Sequence, residues 1–156
     1  MFLFLEDEIL TMEKYTSTLQ LLIRVAGLAQ VVLAIGSLAI PKILKWRAEL
    51  AKTAPLIKQM FWVYAGYIFV INLCFGLVSL FCAGDLTNRS ILALLLTGLI
   101  AAYWVSRVLI QFFYFDRRNF PAGRWHKAGE VLLVLVFVFT SLVYSWAVYY
   151  NIRLPG

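Results

Sequence analysis

Four apolar blocks, each about 20 residues or longer, constrain this chain more than any other feature. They cover about residues 18–40, 60–83, 90–115 and 130–150. A hydrocarbon core about 30 Å thick is crossed by ~20 apolar residues in a helix. A helix also satisfies every backbone N–H and C=O within the segment, which lipid requires. Barrel strands would be about 10 residues long with alternating polarity, and these blocks are neither. The predicted fold class is therefore all-α: a polytopic four-helix transmembrane bundle in a single domain over residues 1–156. Composition agrees, with 63% hydrophobic and 14% charged residues, whereas soluble domains run nearer half and a quarter.

Charge sets the expected topology. Of the net +6, most lies in two loops. One carries Lys42, Lys45, Arg47, Lys52 and Lys58, and the other Arg117, Arg118, Arg124 and Lys127. The positive-inside rule places both loops in the cytoplasm and both termini outside, with the bundle in the cell inner membrane. No basic soluble surface is left for nucleic acid. In the first loop, Lys42 to Gln59, Ile43, Trp46 and Leu50 share one face and Lys42, Lys45, Glu49 and Lys52 the other. That pattern predicts a short amphipathic interfacial helix ending near Pro55, with Pro41 closing the first span. The acidic start, MFLFLEDEILTMEKYT, lacks the positive charge and longer apolar run of a secretory signal. Met12 is a second candidate start.

Polar and small residues recur at helical spacing inside the spans. Gln20, Gly27, Gln30, Ala34 and Ser37 do so in the first, and Ala65, Asn72, Gly76, Ser79 and Ala83 in the second. In the fourth, Phe137, Thr140, Ser141 and Tyr144 recur on one side. Such faces suit helix–helix contact in lipid, with Asn72 placed for an interhelical hydrogen bond. Arg24 lies near a membrane boundary and can snorkel. Asp85, Thr87 and Asn88 offer capping oxygens for the third helix. Trp146, Tyr149 and Tyr150 form an outer aromatic girdle. Cys74 and Cys82, eight residues apart on one helix, are separated by about 12 Å of rise and cannot pair, since a disulfide needs Cα atoms within about 7 Å.

The third span ends in YWVSRVLIQFFYFDRR, which sets Trp104, Arg107, Gln111 and Tyr114 on one face. An arginine within a span is costly without a partner. Glu130 opens the fourth span on the same side, and Tyr64 starts the second at comparable depth. An Arg107–Glu130 ion pair is predicted, completed by Gln111 or Tyr114. It serves either as a register pin between helices three and four or as one wall of an inner-leaflet pocket for a headgroup, a quinone-like ring or a small anion. No metal site is predicted. His126 is the only histidine, and haem sites usually need two axial ligands. No Cys/His pair has metal spacing. No phosphate loop or nucleophile elbow is present.

Four short helices, a long basic first loop and the GLVSLF stretch of helix two resemble the DoxX-like bacterial membrane proteins. QMFWVYAGY and YWVSRVLIQFFYFDRR look more like an uncharacterised branch. The resemblance implies the helical layout and a link to quinone-coupled oxidation, and carries no catalytic residue with it. Three functions follow as expectations. The leading one is an accessory or assembly subunit of a membrane complex, in contact with the bilayer and with a membrane partner or further copies. The alternatives are a quinone-linked redox component and an oligomeric small-solute transporter.

Overall fold

The computed structural model describes residues 2–114 and 124–153, with side chains at 10, 12–114 and 128–153. Asp116, Arg117, Arg118 and the side chains of Arg124, His126 and Lys127, which carry the expected second basic loop, lie outside that range. The described chain is mostly helical: α1 (Phe2–Ser37), α2 (Ile40–Ile43), α3 (Trp46–Glu49), α4 (Pro55–Phe81), α5 (Ile91–Phe113) and α6 (Arg124–Arg153). Short 3₁₀ turns lie at Leu50–Lys52 and Asp85–Thr87. Four stretches, Met12–Ile43, Pro55–Phe81, Ile91–Phe113 and Ala128–Arg153, are long and apolar enough to cross a membrane. The chain is a small multi-pass integral membrane protein.

Helix limits depart from the expected ones for local reasons. α1 begins well before residue 18 and ends at Ser37, not at Pro41. Proline has no N–H for the Ser37 carbonyl, and its ring crowds that oxygen. Leu38 and Ala39 instead close turns onto Ile35 and Gly36, each at 3.1 Å. The amphipathic helix expected from Lys42 to Gln59 is not continuous. Lys45 adopts the left-handed conformation (φ 49°) and separates α2 from α3. Pro55 opens α4 rather than ending a helix. A proline fits the first helical turn, where its missing N–H would have no partner anyway. The cap of α5 is Ser90, whose Oγ accepts from Ala93 N–H at 3.1 Å. Asn88 supports it by accepting from Ser90 N–H at 3.0 Å. Thr87, expected as a cap, donates to the carbonyl of Ala83 at 3.2 Å.

α1 and α4 pack as one hairpin and α5 and α6 as another; the hairpins meet along α1 and α6. The first is fastened where Gly27 faces Gly76. A Cβ built on Gly27 would lie 2.8 Å from the Gly76 carbonyl oxygen, and one on Gly76 would lie 3.0 Å from that of Gly27. Without these glycines the backbones could not approach so closely, as small residues permit in lipid. α4 and α5 are bridged by long side chains. Phe75 meets Tyr103 edge-on at 5.5 Å, and Asn72 Nδ2 donates to Tyr103 Oη at 3.0 Å.

Burial is uneven along the bundle. The core gathers toward the termini, around Leu19, Ile23, Ala26, Leu86, Ile100, Trp104, Val143, Tyr144 and Ala147. Toward the loop that follows α1, none of residues 35–75 is buried, and none of residues 105–114 or 128–139. The bundle thus has a closed half at the termini end and an open half at the other, where side chains are exposed or only half-buried.

Candidate functional site

Where the closed half gives way to the open half, each spanning helix contributes a polar side chain to one directional chain of hydrogen bonds. Trp104 (α5) has only an N–H to offer, and it donates to Gln30 Oε1 (α1) at 3.2 Å. That contact fixes the amide orientation. Gln30 Nε2 then donates to Tyr144 Oη (α6) at 2.6 Å and to its own Ala26 carbonyl at 3.2 Å. Ser79 (α4) gives its single hydrogen to the Phe75 carbonyl at 2.7 Å. The Tyr144 hydroxyl therefore donates to Ser79 Oγ, at 2.5 Å. Gln30, Ser79 and Tyr144 are fully buried and Trp104 is 2% exposed. A fully satisfied network of this kind holds four helices in one register.

A row of rings lies alongside. Phe75, Tyr103, Trp104 and Phe137 follow one another at centroid distances of 5.5, 5.4 and 5.4 Å. Arg107 closes the row, its guanidinium carbon 5.8 Å from the Phe137 centroid. Two polar atoms at the margins of the row are buried without a hydrogen-bond partner, Asn72 Oδ1 and Arg107 Nε.

A second cluster ties the termini end. Arg89 holds a left-handed conformation (φ 62°). Its N–H donates to Asn151 Oδ1 at 3.1 Å, while Asn151 Nδ2 donates to the Leu86 carbonyl at 2.9 Å. Its guanidinium donates to Tyr150 Oη at 3.1 Å. Thr16 spends its hydrogen on the Met12 carbonyl, so Tyr150 O–H donates to Thr16 Oγ1, at 2.6 Å. Gln20 Nε2 donates to Thr87 Oγ1 at 3.0 Å. Tyr150 is thus a buried fastener, not part of the expected girdle; Trp146 and Tyr149 remain exposed.

The six candidate residues differ in their placement. Trp104 is in the core, bonded to Gln30. Tyr64 and Tyr114 face outward, 58% and 82% exposed. Gln111 is half-buried on α5 and Glu130 half-buried on α6. The Arg107 guanidinium lies against the Phe137 ring. Gln30, Ser79 and Tyr144 were visible as polar positions on helical faces, but not as one network. The amide of Gln30, deep within an apolar span, was the available signal.

This placement changes what removing Arg107 should do. A cation over a ring contributes about 0.5–2 kcal/mol, and the buried Nε pays desolvation with no bond in return. Arg107→Met is expected to alter stability by no more than about 1 kcal/mol, in either direction, by thermal unfolding in detergent. The loss of about 3–5 kcal/mol that follows removal of one member of a buried ion pair would instead indicate pairing with Glu130. Among the described residues no group of three or more metal-binding side chains exists, and Cys74 and Cys82 are both free thiols. Compared with known protein families, characterised proteins and solved structures, the chain matches none.

Proposed function

We propose that this protein is an accessory or assembly subunit of a membrane complex, and that the open half of its bundle receives a transmembrane helix of a partner subunit. The carrying observation is α4. Of its residues Pro55–Phe81 only Gly76 and Ser79 are buried, and both lie in the closed half. Gly66, on the open half, has no atom within 4 Å of where its Cβ would be. It offers a foreign helix the same close approach that Gly76 gives α1. The sealed polar network also favours binding at the side of the bundle over passage through its middle. The reading carries with it an inner-membrane location with the open half and both loops toward the cytoplasm.

The test is site-specific photo-crosslinking in native membranes from Val63, Tyr67 and Val70, which share one exposed face of α4. One protein adduct of constant mass, identical at all three positions and lacking at Leu142 on α6, is the expected result. Lipid adducts alone at all three positions overturn the proposal. So does a mass twice that of the chain, which makes the occupant a second copy.

The ring row favours a second reading, a flat quinone-like ligand lying against Phe75, Tyr103 and Phe137, in keeping with the DoxX-like resemblance. Its donor and acceptor would be Arg107 Nε and Asn72 Oδ1. Both atoms are buried, so Tyr103 or Phe137 would have to turn aside to admit it. Organic extracts of the purified protein that contain no quinone would remove this reading.

A further inference from the structure

We propose that the interruption between α1 and α4 forms a binding site for the phosphate headgroup of an anionic phospholipid, held by Arg47 and Lys58 beside Trp62. The geometry begins with Lys45. Its left-handed turn sends the chain back on itself, so that α3 folds against the first turns of α4. Trp46 then packs edge-on to Phe61 at 4.7 Å and to Trp62 at 6.0 Å, with Phe61 and Trp62 6.3 Å apart. This aromatic clamp fixes Arg47 across from Lys58. Between them opens a cleft of about 520 Å³ lined by Arg47, Lys58 and Trp62.

The chemistry of the lining fits one class of ligand. A guanidinium offers paired donors to phosphate oxygens and an ammonium adds a point charge. Glu49 is the one carboxylate in residues 41–59, against five cations. The first turn of α4 carries no acidic residue and has no side-chain cap, so its positive end reinforces the same field. Trp62 is an indole at the end of a membrane-spanning helix, the depth at which tryptophan meets lipid headgroups. Around it, the exposed apolar surface of Met60, Ile68 and Ile71 on α4 gives acyl chains a track that inorganic phosphate could not use. The inference is independent of the partner-helix reading, which concerns the face of α4 around Gly66.

The experiment is native mass spectrometry of the detergent-solubilised full chain, titrated with phosphatidylglycerol, phosphatidylcholine or inorganic phosphate. The wild type is compared with Arg47→Gln/Lys58→Gln and with Lys52→Gln, whose cation lies outside the cleft lining. Phosphatidylglycerol should be retained in preference to phosphatidylcholine. The double variant should bind it about 30-fold more weakly, roughly 5-fold for each cation near the surface, while Lys52→Gln should bind as the wild type does. Arg47→Gln alone, with about a 5-fold loss, serves if the double variant does not fold. Equal losses in Lys52→Gln would mean a diffuse charge effect and overturn the site. Undiminished binding in the double variant, or full displacement of the lipid by inorganic phosphate, would overturn it too.

Discussion

Trp104→Ala is expected to destabilise the protein by about 3–5 kcal/mol, the range for truncating a buried tryptophan. The indole is 2% exposed and touches Tyr103 and Phe137 at 5.4 Å each. In lipid, tails are as apolar as the core, so what is lost is packing and hydrogen bonding rather than shelter from water. Truncation removes both, because Gln30 Oε1 loses the donor at 3.2 Å. Trp104→Phe keeps a ring in place and loses only the N–H. Its expected loss is about 1–2 kcal/mol, since hydrogen bonds between membrane helices average about 0.6 kcal/mol and rarely exceed about 1.7. Thermal unfolding in detergent ranks the two. Equal losses would mean that the hydrogen bond dominates, and a loss below about 1 kcal/mol for Trp104→Ala would mean that α5 is not seated on α1 through this residue.

Gly27→Leu should be comparably severe. Its Cβ alone would come within 2.8 Å of the Gly76 carbonyl oxygen and of Ser79 Cβ, and within 2.9 Å of the Leu80 nitrogen. Overpacking usually costs about 1–3 kcal/mol. Here two of the three obstacles are backbone atoms that cannot rotate away, so the loss should reach or pass the top of that range. Separating α1 from α4 also draws Ser79 away from Tyr144 and breaks the four-helix network at its last link. Gly36→Leu is the control: no atom lies within 4 Å of its Cβ position, and its unfolding temperature should stay near that of the wild type. Equal losses in the two variants would show that helix flexibility, not the crossing, explains the need for glycine.

Much of the architecture was legible because it follows from one-dimensional patterns. Block length foretold four spans, and helical spacing put Gly27 with Gln30 and Gly76 with Ser79 on the faces that now meet. Asn72 makes the interhelical hydrogen bond its position suggested, with Tyr103 as partner. What stayed hidden depends on three-dimensional placement. Which of Gln30, Trp104, Ser79 and Tyr144 would touch is set by crossing angles, and no single helix encodes those. Proximity along the chain suggested Glu130 beside Arg107 and gave no sign of the contact between its guanidinium and the Phe137 ring face. Lys45 gave no warning either, because non-glycine residues seldom take its left-handed conformation. Tyr150 showed the composition of an interfacial belt and the behaviour of a hydrogen-bonded core residue.

The division into two hairpins also sets an order of events as the chain leaves the ribosome. The Gly27–Gly76 crossing can close as soon as α4 has entered the bilayer, before α5 and α6 are made. At that stage Gln30 has neither Trp104 nor Tyr144 to meet, and an amide with open valences deep in hydrocarbon invites mispairing. Its bond to the Ala26 carbonyl within α1 gives the amide an interim partner that asks nothing of later sequence. When Tyr144 arrives, the same nitrogen turns its second hydrogen to the phenol, and the first pair of helices captures the second without surrendering anything already formed.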